Sequence, residues 1–300
     1  MHPGIRRQSE GFSRAMTTGR ARQERMSFIR RFLQWTELLD PTNVFISVES
    51  IENSRQLLCT NEDASNPASE DQRIQEAWKR SLATVHPDSS NLIPKLFRPA
   101  AFLPFMAPTV FLSMMPPKGI KSVILPQVFL YTYMTAFNSI NGNRSYRCSF
   151  AGTRLTPMLG VLYFFTSTVQ ASGMNVYMTR NIESIKGIAV MDKEGNVLGH
   201  STIAGTKAVR ETAASRTVLF GTSALIPEIF TYFFKRTQFF LKNPGSLWIL
   251  KLSCTFLTMG LMVPVSFSIF PQIGQIQCRS HEEKIQPSTE ETEIFYHRGV

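Results

Sequence analysis

Hydrophobic and polar positions divide this chain into two parts. Residues 1–98 interleave charged and apolar side chains. Most of 99–278 consists of long uncharged runs, at 99–117, 122–143, 155–179, 217–234 (interrupted by Glu228) and 252–278. A bilayer core asks for ~20 mainly apolar residues per helix. Five such runs predict an all-α, polytopic helical membrane bundle of about five spans, because an open sheet edge cannot satisfy its backbone in lipid. Pro104, Pro108, Pro126, Pro157, Pro227 and Pro264 fall inside the runs; membrane helices tolerate such prolines as kinks.

Shorter periods organise the rest. In "SFIRRFLQWTELLDP", Phe28, Phe32, Trp35 and Leu39 recur at helical spacing, with Arg30 and Arg31 off the stripe. Such a helix either lies in a membrane interface or packs on its neighbours. Asp40-Pro41 ends it. A second helix is expected over 47–59. A third opens at the capping pair Ser69 and Gln72 and carries Ile74, Ala77, Trp78, Leu82 and Val85 on one face down to His86. Between the third and fourth runs, Ile188–Val190 and Val197-Leu198 flank a turn containing Gly195. That predicts a small β-hairpin. The domain plan is a basic arm at 1–26, a partly helical region at 27–98, the membrane region at 99–278 with a loop at 180–216, and a polar tail at 279–300.

Composition changes this picture in two places. The mean hydropathy is near zero only because the two halves cancel. The net charge of +10 invites nucleic acid as a partner, but the basic residues sit in the arm and at the edges of apolar runs, where they anchor helix ends. No nucleic-acid motif accompanies them. Residues 1–31 hold eight arginines against two glutamates, a composition that suits mitochondrial targeting or a disordered basic arm. The four cysteines and five histidines show no disulfide framework or metal-ligand spacing, so neither a metal nor another cofactor is expected.

Candidate chemistry concentrates at a few residues. His86-Pro87-Asp88 stands before the first apolar run and reads as a catalytic pair, half a metal site or a structural stop. Proline ends helices, histidine suits a helix C-terminus and aspartate suits the turn that follows, so the structural stop is the stronger reading. Glu228 is a carboxylate within an apolar run. It is either a functional group or the partner of a basic helix end. Asn138, Ser139, Asn141, Asn143 and Arg144 cluster at the exit of the second run. Gly199 to Lys207 resembles a phosphate loop but has the wrong spacing. Gly199-His200-Ser201 lacks the second glycine of a nucleophile elbow. No enzyme is indicated.

With Trp78 upstream and Pro94 downstream, His86-Pro87-Asp88 resembles a motif of the sideroflexins, multi-span carriers of the mitochondrial inner membrane. Asp40-Pro41-Thr42-Asn43, Asn143-Arg144-Ser145, "GMNVYMTRNIESIKGIAVMDKEGNVLGHS" and "IFPQ" at 269–272 resemble further family segments. The N-terminal and loop wording is closest to one branch. The resemblance covers roughly 27–146 and 169–278. It breaks between about Arg147 and Thr168, where one apolar run stands in place of two. Ser89 replaces the usual threonine, and Thr132, Tyr133 and Met134 occupy the start of the family's asparagine ladder. What the resemblance implies is an inner-membrane transporter of small amino acids, serine above all, feeding one-carbon metabolism. For this branch it also implies a link to respiratory complex I assembly proteins and to iron homeostasis. His86, Pro87, Asp88, Asn143, Arg144, Asn175 and Arg180 are then candidates for transport or gating, with small amino acids and the lipid bilayer as partners.

Overall fold

The computed structural model describes residues 27–60, 72–86, 90–115, 120–142, 168–192, 196–238, 243, 245–277 and 293–299. The arm, the run at 155–167, Ser69, Gly195 and most of the tail lie outside them. The described helices are α1 (Phe28–Leu38), α2 (Val48–Thr60), α3 (Gln72–Thr84), α4 (Pro99–Ser113), α5 (Ile120–Asn141), α6 (Thr168–Lys186), α7 (Thr202–Phe234) and α8 (Ser246–Ile269). Four strands follow the same numbering: β1 (Ile188–Met191), β2 (Val197–Ser201), β3 (Ile273–Gln277) and β4 (Glu293–His297).

The N-terminal region and the long helices share one core. Trp35, Ile51 and Trp78 are buried in the same cluster as Phe102, Met106, Phe137, Leu219 and Phe267. On α1, Trp35 stacks on Phe267 of α8 at 4.8 Å, and the Arg31 guanidinium donates to the Ser268 carbonyl at 3.1 Å. One face of α1 therefore packs on the bundle, while Phe28, Ile29 and Leu33 remain exposed. Asp40-Pro41-Thr42-Asn43 is the joint after α1. The Asp40 carboxylate accepts from the Thr42 amide and hydroxyl, which holds its pKa below the usual carboxylate value. The Asn43 amide donates back to the Glu37 and Leu38 carbonyls, closing the open end of α1. Arg98, buried ahead of Pro99, gathers the carbonyls of Asn43 and Val44 and fixes this joint against the start of α4.

The apolar stripe of α3 is buried as its period predicts, but the helix ends at Thr84, not at His86. Val85 bridges Leu92, and the His86 N–H donates to the Asn91 carbonyl. The chain turns back there instead of finishing a helical turn. The His86 backbone bonds to Asn91 and Ser90 as the chain turns back just past the helix end.

Five crossings are not what the described residues establish. Two helices, α7 and α8, are long and apolar enough to cross a membrane by length and composition. The first run yields α4, whose 15 residues span only ~22 Å of a ~30 Å hydrocarbon core. The fourth run is the second half of α7, which is continuous from Thr202 through the supposed loop. The fifth run ends early. The helix stops at Ile269, Pro271 prevents its continuation, and residues 273–277 become β3.

The hairpin β1–β2 forms with a bulge between Val190 and Met191. It does not stand alone. β4 pairs antiparallel with β1 (Val190 opposite Tyr296) and β3 pairs with β4, giving the order β2-β1-β4-β3. Part of the expected polar tail is thus a strand in which Ile294, Phe295 and Tyr296 are all buried. The fold is mostly helical with a small antiparallel sheet. Below that sheet α6 and α7 run antiparallel and nearly touch. A Cβ on Gly205 would strike the Glu183 backbone, and one on Gly173 would strike Thr217.

Candidate functional site

Polar side chains collect on the inward faces of α5, α6 and α7. On α5, Thr135, Asn138 and Asn141 are all buried, at successive spacings of three that place them along one face. Asn175 of α6 meets them: its amide donates to the Thr135 hydroxyl at 2.9 Å and its carbonyl accepts from the Asn138 amide at 3.2 Å. Asn141 reaches the Phe97 carbonyl at 2.9 Å. Buried amides need such partners, since an unmade hydrogen bond there costs more than a made one contributes.

One turn beyond Asn175, Arg180 is fully buried. Its Nε and Nη2 donate to the two Glu183 carboxylate oxygens at 2.8 and 2.7 Å. Nη1 reaches the Thr212 hydroxyl at 3.1 Å, and Nη2 also reaches the Arg298 carbonyl after β4. The fork thus ties α6, α7 and the C-terminal strand together. His86 closes the lower side of this region. Its Nε2 lies 2.8 Å from the Gly142 carbonyl at the end of α5; a carbonyl only accepts, so Nε2 carries the proton.

A second buried cation lies on α7. Arg216 of α7 is 1 % exposed, and its guanidinium carbon sits 4.4 Å from the Phe267 ring centre, 4.9 Å from Phe102 and 5.6 Å from Phe137. Among the described residues, none of its nitrogens has a hydrogen-bond acceptor.

Of the residues singled out in sequence, the structure brings Asn138 and Asn141 of α5, Asn175 and Arg180 of α6, and His86 at the foot of α5 to this region. Glu228 lies apart. It is over half exposed and meets Lys251 of α8, whose ammonium also donates to the Met114 carbonyl at 2.8 Å. Pro87, Asp88, Asn143 and Arg144 lie outside the described residues. Sequence reasoning missed Arg216, Glu183, Thr212 and Arg298. Its place beside an apolar run puts Arg216 among the charges expected at span edges, although the small residues Ala213, Ala214 and Ser215 before it mark a stretch where helices approach closely.

The family model for Sideroflexins matches residues 20–155 and 149–300. This chain is a sideroflexin. It is 78 % identical to human Sideroflexin-4 over 92 % of this chain and 90 % of the relative. It is 35 % identical to zebrafish Sideroflexin-4, over 91 % of this chain and 96 % of the relative. Human Sideroflexin-5 is 25 % identical over 94 % of this chain and 92 % of the relative. No solved structure matches. The two parts of the sideroflexin match meet at 149–155, within the stretch where the family wording breaks down.

Proposed function

We propose that this sideroflexin is a multi-pass carrier of small amino acids, serine-like in size and polarity, in the mitochondrial inner membrane, where it supports one-carbon metabolism. The observation that carries the reading is the Thr135–Asn175–Asn138 array. Polar amides placed between otherwise apolar helices are costly, and their usual use in membrane proteins is to glue helices or to line a solute path. The array lies beside a buried arginine pair, which suits a small zwitterionic solute better than an apolar one. Uptake of labelled L-serine by proteoliposomes holding the full chain tests this. Saturable uptake, competed by unlabelled serine and reduced at least several-fold by Asn175→Ala, is expected. Uptake equal to empty liposomes refutes it.

A second reading is a non-transporting assembly factor for respiratory complex I and iron homeostasis. It is favoured by the way Thr135, Asn138 and Asn175 satisfy one another, which is also what helix packing alone would require. Normal complex I levels in cells depleted of the chain would refute this second reading.

A further inference from the structure

A guanidinium carries five N–H donors and a fixed positive charge. All three nitrogens of Arg216 are buried without an acceptor among the described residues. The rings of Phe102, Phe137 and Phe267 attract the charge through their faces, but they provide no lone pair for the N–H groups. Nearby charge adds to the imbalance. Arg180 and Arg298 lie close enough to repel Arg216. Glu183 is engaged by Arg180, and Glu211 faces Arg298 and Lys207. A buried cation with unfilled donors and like-charged neighbours calls for an anion.

We propose that Arg216 is a carboxylate-binding residue, and that the group it takes is the carboxylate of the carried amino acid. The second half of this statement rests on the carrier reading. The planar fork of arginine matches the two oxygens of a carboxylate, forming two parallel charged hydrogen bonds. Placement supports the assignment. Phe137, which packs against the guanidinium, directly precedes Asn138 of the amide array on α5. The guanidinium and the amide array therefore meet the same stretch of α5, on neighbouring faces. The solute's carboxylate would supply the acceptors that the described residues do not provide.

The test uses the purified full chain in lipid nanodiscs, with thermal unfolding and calorimetric titration as readouts. The probes are L-serine, L-serinamide (which lacks the carboxylate) and acetate. Serine and acetate are expected to raise Tm and serinamide to leave it unchanged, a comparison that needs no variant. Arg216→Lys keeps the charge but loses the fork. It should weaken serine about 10- to 100-fold, the equivalent of one charged hydrogen bond. Equal effects of serine and serinamide would overturn the carboxylate assignment while leaving amino-acid binding intact. Arg216-dependent acetate binding without serine binding would uphold the anion site and refute the amino-acid carrier. If neither serine nor acetate shifts Tm, the proposal is wrong.

Discussion

The Arg180–Glu183 pair offers a quantitative test of how this fold is held. Both side chains are buried, at 1 % and 8 % exposure, with two parallel hydrogen bonds of 2.8 and 2.7 Å between them. Replacing Arg180 with Met leaves the Glu183 carboxylate buried without its fork and removes the donors to Thr212 and the Arg298 carbonyl. Breaking a buried ion pair from one side costs about 3–5 kcal/mol. At roughly 2–4 °C per kcal/mol for a large domain, Tm should fall by roughly 6–20 °C. Glu183→Leu should cost a similar amount, because it strands the arginine. The double variant Arg180→Met, Glu183→Leu removes both charges, so its loss should be smaller than the sum by about 2–3 kcal/mol. The loss that persists is that of the hydrogen bonds to Thr212 and to the Arg298 carbonyl. Thermal unfolding of the four proteins in one detergent closes the cycle. Limited proteolysis should show the C-terminal strand cut faster in every variant that lacks Arg180. Additive losses, or a single-variant cost below about 1 kcal/mol, would refute the argument by showing that the pair behaves as a solvated one.

Gly205→Ala should lower Tm by forcing α6 and α7 apart, at about 1–3 kcal/mol for overpacking against backbone, whereas Gly260→Ala, whose Cβ meets nothing within 4 Å, should be neutral or stabilising by up to about 1 kcal/mol. His86→Ala should cost about 1–3 kcal/mol in thermal unfolding by stranding the buried Gly142 carbonyl, and His86→Gln should recover part of that loss. The pKa of Asp40 is lowered in the fold, so its contribution is fully present above the ordinary value of 3.8 and is lost as pH falls through the lower folded value. The stability difference between wild type and Asp40→Asn, followed by denaturant titration, should therefore shrink below pH 3.8 and stay constant above it.

Local periodicity revealed much of this architecture. The stripe Ile74, Ala77, Trp78 and Leu82 located α3, and the turn residues between Val190 and Val197 located the hairpin. Long-range pairing was not visible in the same way. Val190 faces Tyr296 across the sheet, yet nothing in a window around either residue names the other. The strand "EIFYH" lies in a tail that is polar on average, although its own composition favours β-structure. Hydropathy also cannot tell which way a charge points. Arg216 at the edge of an apolar run looks the same whether it reaches for lipid headgroups or turns inward onto three rings. The first half of α7 falls in the expected loop because its exposed face is polar, while Ala204, Ala208 and Thr212 pack inward. Asn175 and Arg180 entered through family resemblance, and their geometry then supplied physical partners for each.

The position of β4 constrains the order in which this protein can be made. It lies between β1 and β3, although it is synthesised after both. Until residues 293–298 leave the ribosome, β1 and β3 have no strand between them. Arg180 also lacks the Arg298 carbonyl, 118 residues further along. α6 and α7 can pair early through their short hairpin, but the sheet above them stays open through the synthesis of α8. Such distant closure is slow, and during that interval the edge of β1 that β4 later covers is open to pairing with another chain.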